Sequence, residues 1–278
     1  PIYFKQKTAY ESMPSLVCSE MSIRDRYNNI LFSKEKNFYL VKINRPKQLN
    51  ALNQQTISEL KKCFEYIKKN SSGYYGVIIT GEGEKSFVAG ADIKEFTGLE
   101  EKLSKKVCEN GHRLFNYIEN MPIPVIAVVN GYALGGGCEL SLACHLRIGT
   151  RNAKFSQPEI NLGLIPGYGG TQRLTQIIGK ARALEMMITA EMINADTALK
   201  YGLINYVFDD YKKSYSKAID IINTIKRKAP IAIKNVITSV NSFYDSNLNG
   251  FEEEIKLFVQ CSSTKDFKEG VKAFIEKR

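Results

Sequence analysis

The stretch Asn130-Gly-Tyr-Ala-Leu-Gly-Gly-Gly-Cys-Glu-Leu140 decides how this chain is read, together with Gln157-Pro-Glu159 and Ala89-Gly-Ala-Asp-Ile-Lys94. Two carboxylates, Glu139 and Glu159, each stand near glycine-bearing segments that can expose bare backbone N–H groups. That pattern suits chemistry in which negative charge grows on an oxygen while protons move nearby. One donor aimed at a developing oxyanion is worth about 3–4 kcal/mol, and two carboxyl groups supply acid and base work. The residues point to an enzyme.

Nucleotide-binding loops are the rival reading of these glycines. A phosphate-cradling loop of the Walker type needs Gly-Lys-Ser/Thr after its spacer, whereas Gly136 is followed by Gly137 and Cys138. The dinucleotide fingerprint Gly-x-Gly-x-x-Gly is not supplied by Gly131-Tyr-Ala-Leu-Gly135 either. What remains is a strand ending near Val129, a turn, and glycines opening a helix. A helix N-terminus carries free N–H groups and partial positive charge, so the Gly136 N–H suits an oxyanion. A plainer reading, glycines that merely permit close packing, stays open at this point. Taken singly, Glu139 reads as a helix residue and Glu159 as a loop carboxylate whose freedom Pro158 limits.

Outward from these motifs, the 278 residues are 44% hydrophobic and 24% charged, ordinary for a soluble globular protein able to bury a sizeable core. No apolar run approaches the ~20 residues of a membrane span, and Pro124-Val-Ile-Ala-Val-Val129 reads as a buried strand. A net charge of +10 favours an anionic partner without naming it, and the lysines are spread along the chain rather than massed. The six cysteines contain no Cys-x-x-Cys pair, and Cys63, Cys138 and Cys144 fit reduced core positions, so a reducing compartment is expected. With only His112 and His145, no metal site and no Ser/His triad is expected.

The first residues, Pro1 to about Arg26, show no sustained period and resemble translated sequencing-adapter read-through, so they are set aside from fold reasoning. Removing Lys5, Lys7, Arg24 and Arg26 along with Glu11, Glu20 and Asp25 leaves the rest basic. Those three acidic residues fit an acid-poor transit peptide badly.

From Tyr27 onward, Phe38 to Ile43 predicts a strand. Asn53 predicts the cap of a helix to about Asn70, buried through Ile57, Leu60, Phe64 and Ile67. Strands follow at Tyr75–Thr80, Val125–Val129, His145–Gly149 and Lys154–Ser156. Helices are expected over about Lys102–Glu119 and from Cys138 to Ala143. Beyond Thr171 the pattern is mainly helical, with one strand near Ile204–Phe208. The alternation argues an α/β core with a helical end, and no internal sequence repeat is evident.

Taken together, these segments resemble the enoyl-CoA hydratase branch of the crotonase superfamily. The resemblance rests on Asn44-Arg-Pro-Lys47 with Asn50-Ala-Leu52, on Phe87-Val-Ala-Gly-Ala-Asp-Ile-Lys-Glu95, and on Pro124 through Leu140. It continues through Phe155-Ser-Gln-Pro-Glu-Ile160, Gly163-Leu-Ile-Pro-Gly167, Gly169-Gly-Thr-Gln-Arg-Leu174 and Phe274-Ile-Glu-Lys-Arg278, covering about Asn29 to the C-terminus.

The resemblance implies a crotonase-like spiral of ββα units with a helical C-terminal trimerisation region, in a homotrimer or homohexamer. The corresponding division is a non-native or disordered segment over 1–26, a ββα core over 27–195 and a helical region over 196–278. It also implies that the Ala91 and Gly136 N–H groups hold a thioester oxygen. Glu139 then activates water and Glu159 delivers a proton to C2. Lys47, Ala91, Asp92, Ile93 and Lys94 fall at coenzyme-A-contacting positions, and Lys277 matches a phosphate-contacting lysine. The activity expected is hydration of short- or medium-chain trans-2-enoyl-CoA to 3-hydroxyacyl-CoA in fatty-acid β-oxidation, with no cofactor beyond the coenzyme A of the substrate. Isomerases of the superfamily generally omit the Glu139 equivalent. Hydration of a branched enoyl-CoA in amino-acid breakdown is the rival within the class. RNA binding is not expected as the principal role, since no basic tract interleaves with aromatics. Mitochondrial matrix is the expected compartment, with bacterial cytoplasm as the alternative. One departure from the family pattern is His145, where many relatives carry Asp, and it is expected to tune packing rather than activity.

Overall fold

The computed structural model describes residues 27–96, 98 and 100–278, so the adapter-like segment lies outside the described residues. Strands β1 (Ile30–Lys34) and β2 (Tyr39–Ile43) pair antiparallel, and β2 buries Tyr39, Val41 and Ile43 on one face. Then β3 (Val77–Gly81), β5 (Val125–Val129), β7 (Leu146–Thr150) and β10 (Tyr206–Phe208) join in parallel, giving the order β1-β2-β3-β5-β7-β10. Both β3 and β5 are buried at every residue, which explains their continuous apolar sequence: each is covered on both faces.

A second sheet, in the order β4-β6-β8-β9, is built from β4 (Ser86–Ala89), β6 (Tyr132–Leu134), β8 (Lys154–Ser156) and β9 (Ile193–Asn194). Each circuit of the chain lays one strand in the first sheet and one in the second, then turns into a helix. The helix α1 (Gln54–Lys69) follows β2, α2 (Glu101–Glu119) follows β3 and β4, and α3 (Gly136–Ala143) follows β5 and β6. This is the spiral of ββα units that the family resemblance implied. The first circuit has only a single bridge in place of its second strand, Leu52 pairing in parallel with Ala91.

Asn53 caps α1 by accepting from the Thr56 N–H at 2.8 Å, and Ile57, Leu60, Phe64 and Ile67 are buried. The helix α3 starts at Gly136, two residues earlier than Cys138. Gly135 takes φ 48° and ψ −122°, a backbone turn that lets the helix begin abruptly. β1, β4 and β6 were not foreseen. β4 and β6 are short and pair only with strands far away in sequence, so no local period announces them.

Past β8 the chain runs through α4 (Gly170–Ile178) and α5 (Lys180–Thr189), and past β9 through α6 (Ala195–Lys200), α7 (Tyr211–Ile225), α8 (Pro230–Ser242), α9 (Gly250–Ser262) and α10 (Lys265–Ile275). The first sheet extends beyond residue 195, because β10 pairs with β7 and α7 packs Ala218 and Ile222 against Ile126 and Ile148. The last helices expose large apolar side chains, among them Phe243, Phe251, Phe258 and Phe274. No helix among the described residues is long and apolar enough to cross a membrane.

Asn130, first residue of the deciding stretch, ties the end of β5 to the end of β3 and to the loop that leads to β4. Its amide donates to Gly81 O at 3.0 Å and Gly83 O at 2.6 Å. Its Oδ1 accepts from the Gly81 N–H at 3.3 Å and the Thr80 hydroxyl at 3.2 Å. Replacing Asn130 by Ala removes four bonds in a buried setting, and each stranded polar group costs about 1–3 kcal/mol. Asn130→Ala is expected to lower unfolding free energy by about 3 kcal/mol in a urea titration. A change below about 0.5 kcal/mol would mean the brace is redundant.

Candidate active site

The two amides anticipated as oxyanion donors come to one place. Around Ala91 the backbone alternates: Leu52 N–H donates to Gly90 O at 2.9 Å, and Asp92 N–H donates to Leu52 O at 2.8 Å. The Ala91 N–H therefore faces away from that bridge. Gly136 is the first residue of α3, where an N–H has no intrahelical acceptor. A methyl group at Gly136 would lie 3.7 Å from Ala91 N, so both amides border the same small space. Among the described residues neither N–H has a hydrogen-bond acceptor.

Arg45 fixes the segment that carries Ala91. Its guanidinium donates to the Asp92 carboxylate at 2.8 Å and to Ala51 O at 2.5 Å. That ion pair is largely buried and holds the Asp92 carboxyl below its usual range, chiefly through the Arg45 hydrogen bond. The Asp92 side chain thus serves as a brace. Arg45 was quoted in the sequence motif but assigned no role, because its partner lies 47 residues away.

Glu139 is buried within α3, one turn from the Gly136 amide. Its Oε1 accepts from Tyr168 N–H at 2.8 Å and from Gly170 N–H at 2.7 Å. Burial and then the Glu159 charge push its pKa up to about 7, against which the two backbone donors pull down. Glu159 sits in a 3-10 turn, Pro158–Leu162, and burial pushes it up to about 6. Its Oε1 lies over Gly135, where a methyl group would approach to 2.5 Å, so position 135 demands glycine for space as well as for φ. Its Oε2 is buried without a hydrogen-bond partner among the described residues. Burial thus raises both carboxyls above their usual range, and the two titrate as a coupled pair.

Sequence reasoning missed the segment Tyr168–Gly170, whose backbone holds Glu139. Arg173 braces it by donating to Tyr168 O at 3.1 Å while pairing with Glu119 at 2.8 Å and Asn116 at 2.5 Å. The Tyr168 ring is 4% exposed and packs edge-on against Phe115 with centroids 5.6 Å apart. A methyl at Gly111 would lie 2.1 Å from that ring and one at Gly136 would lie 3.4 Å from it. A glycine inside α2 is otherwise unfavourable in a helix, and here it makes room for the tyrosine.

The segments carrying Lys47, Ile93 and Lys94 adjoin Ala91 in the fold, and Lys277 does not. Lys47 lies in the 3-10 turn Pro46–Gln48, and Ala89 N–H donates to Leu49 O just beyond it at 3.0 Å. Ile93 and Lys94 open the exposed 3-10 turn Ile93–Phe96. Lys277 follows α10 at the chain end, and among the described residues no hydrogen bond or ion pair joins it to this cluster. His145 accepts from Val125 N–H at 2.8 Å through Nδ1 and donates from Nε2 to Glu119 O at 3.0 Å. Burial pushes its pKa down to about 4, and a neutral ring with both nitrogens engaged is a packing element. Among the described residues no cluster of three or more His, Cys, Asp or Glu side chains is placed to hold a metal ion.

Because the folded pKa of Glu139 lies above its ordinary 4.5, its burial is tolerated at low pH and opposes folding as pH rises through about 7. Glu139→Gln carries no such charge. Its melting temperature is expected to exceed the wild-type value at pH 8 by at least about 2 °C, the shift of roughly 1 kcal/mol in a chain of this size. The gap should close toward pH 5. Equal gaps at both pH values in calorimetry would contradict a buried carboxylate titrating near neutrality.

The chain is similar to known proteins in sequence and in fold. A family profile described as enoyl-CoA hydratase/isomerase matches residues 33–278. A short-chain-enoyl-CoA hydratase of Clostridium acetobutylicum is 43% identical over 254 residues, covering 90% of this chain and 96% of the relative. A crotonyl-CoA hydratase of Syntrophomonas wolfei is 41% identical over 253 residues, covering 91% and 96%. The crystal structure of an enoyl-CoA hydratase from Bacillus anthracis superposes with a TM-score of 0.84 at 37% identity, covering 90% of this chain and 97% of that one. Similar along nearly its whole described length, in sequence as in fold, the chain belongs to the enoyl-CoA hydratase/isomerase family.

Proposed function

We propose that this protein adds water across the double bond of short-chain trans-2-enoyl-CoA thioesters to give 3-hydroxyacyl-CoA, a step of fatty-acid β-oxidation. The observation that carries the reading is the convergence of two unpaired amides and two carboxyls on one buried site. A thioester oxygen between the Ala91 and Gly136 N–H groups draws electron density from the conjugated double bond and makes C3 electrophilic. The Glu139 carboxylate takes a proton from water as the water oxygen bonds to C3, and the π electrons move to the thioester oxygen as an enolate. The enolate then collapses, and C2 takes a proton from Glu159. One water has been added across the double bond, and a proton transferred between the carboxyls resets the pair. The N-terminus of α3 adds its partial positive charge at the enolate oxygen. Lys47, Ile93, Lys94 and Lys277 are assigned to the coenzyme A portion, with no further cofactor.

The Tyr168 ring supports the short-chain preference. It is set against Gly136 and Gly111, and we assign it to the wall of the acyl pocket, where it would limit the length of the tail. Exposed Phe243, Phe251, Phe258 and Phe274 on and beside the terminal helices support burial in a homotrimer or homohexamer. Both curated relatives named above come from bacteria, which supports the bacterial cytoplasm rather than the mitochondrial matrix.

Loss of the conjugated thioester's ultraviolet absorbance with crotonyl-CoA tests the activity directly. Glu139→Gln and Glu159→Gln are each expected to slow turnover by at least ~100-fold, the low end for lost acid–base help, with little change in ligand binding. Normal turnover in both variants would remove the assigned roles. Tyr168→Ala is expected to move the kcat/KM optimum to longer acyl chains by about 10-fold or more relative to crotonyl-CoA. An unchanged rate series over acyl length would show that the ring does not bound the pocket.

A further inference from the structure

Gln54 opens α1 and stands where several parts of the site meet. Its backbone N–H donates to the Glu95 carboxylate of the 3-10 turn Ile93–Phe96 at 2.9 Å. Its side-chain Oε1 accepts from Asn110 Nδ2 on α2 at 3.0 Å. The direction of that second bond is dictated one step further out. Arg113 donates to Asn110 Oδ1, and a guanidinium has no acceptor, so Asn110 gives its oxygen to Arg113 and its NH2 to Gln54. Gln54 in turn gives its oxygen to Asn110 and keeps Nε2 for another partner. That partner is the Tyr168 hydroxyl. Burial first of all pushes the Tyr168 phenol up, and the hydrogen bond from Gln54 draws it down. The ring has little else to hold it. It lies between Gly111 and Gly136, which offer backbone and no side chain, and Phe115 meets it edge-on. The Tyr168 backbone is fixed at both ends, its N–H on Glu139 and its carbonyl under Arg173. What remains free is rotation of the side chain, and a pin at the hydroxyl removes it.

We propose that Gln54 is a positioning residue that sets acyl-chain selectivity: its Nε2–H donates to the Tyr168 hydroxyl and holds the ring in the pocket, so that a short acyl tail fits and a longer one does not. The assignment rests on the hydratase reading, with Tyr168 as a pocket wall, for its consequence, though not for the bond itself. The backbone of the same residue is held by Glu95. The turn assigned to the coenzyme A portion and the wall assigned to the acyl tail therefore share one anchor, and both ends of the substrate are gauged from it.

The test uses the full chain with Gln54→Met, which keeps the length of the side chain without its amide, Tyr168→Phe, which removes only the hydroxyl, and both together. In the ligand-free protein, the phenol C–O stretch of Tyr168 is isolated by difference infrared spectroscopy as the band lost in Tyr168→Phe. Gln54→Met is expected to shift that band, and an unmoved band would overturn the proposal. With substrate, kcat/KM for trans-2-hexenoyl-CoA relative to crotonyl-CoA should rise about 5-fold in each single variant, roughly what one hydrogen bond is worth. The double variant should rise no further, because both substitutions cut the same bond; a multiplied rise would mean independent effects and count against the link. A lower melting temperature with an unmoved ratio would also overturn the proposal, since the bond would then serve stability alone. Should Gln54→Met fail to fold, the ratio in Tyr168→Phe decides the matter. Absence of hydration by the wild-type protein would instead count against the activity. The infrared band and the relative affinities for hexanoyl-CoA and butyryl-CoA would then still decide the role of Gln54.

Discussion

Everything at this site depends on how a carboxylate can be kept inside a protein. Glu139 lies in a helix buried on every face, where an isolated ionised group is strongly disfavoured. Two backbone N–H groups, from Tyr168 and Gly170, meet one of its oxygens and leave the other for chemistry. Backbone donors bring no compensating charge. They hold the carboxyl near the point where it can both accept and release a proton, which a lysine or arginine at hydrogen-bond distance would prevent. The segment supplying them is itself held by Arg173, whose charge is spent on Glu119.

The spiral explains why the remaining parts arrive at the same spot. Each circuit ends its second-sheet strand close to the start of its helix, and successive circuits stack those ends side by side. Ala91 follows β4, Gly136 follows β6, and Glu159 follows β8 by three residues. The paired strands are in parallel register, Ala89 with Leu134 and Leu134 with Ser156, so residues shortly beyond each strand line up across the sheet. A site assembled from neighbouring strand ends inherits the rigidity of the ladder. The Ala91 and Gly136 amides are fixed by the fold itself, the condition under which donors assigned to an oxyanion would lower a barrier most.

Much of this was legible in the sequence because it is local. The α1 face, its Asn53 cap, the apolar runs of β3 and β5 and the glycines before Glu139 all announce themselves within a turn or two of chain. Ala91, Gly136, Glu139 and Glu159 were legible through the ordered motifs of a family, and the fold brings them together. What could not be read is what the fold supplies from a distance. Arg45 reaches Asp92 across 47 residues, and Tyr168 reaches Glu139 across 29. The tyrosine stands in a glycine loop where nothing local marks it as buried. The ββα repeat was legible only through the family resemblance, for a related reason: it is a repetition of path, and its circuits share geometry without an evident sequence repeat.

The distribution of unsatisfied groups gives an independent reason to place the chemistry here. Other buried polar side chains find partners: Arg147 donates to Leu203 O, Ser141 O and Cys144 O, and Asn130 makes four bonds. Among the described residues the buried side-chain atoms lacking any partner are Gln157 Nε2, Gln157 Oε1 and Glu159 Oε2. The unpaired Ala91 and Gly136 amides lie in the same region, a short step from Glu159 across Gly135. Among the described residues the open buried donors and acceptors thus gather in one place, the pattern expected of a site that receives a ligand. Their mixture of amide N–H groups and carboxyl oxygens matches a substrate that gains charge on one atom while exchanging protons at its neighbours.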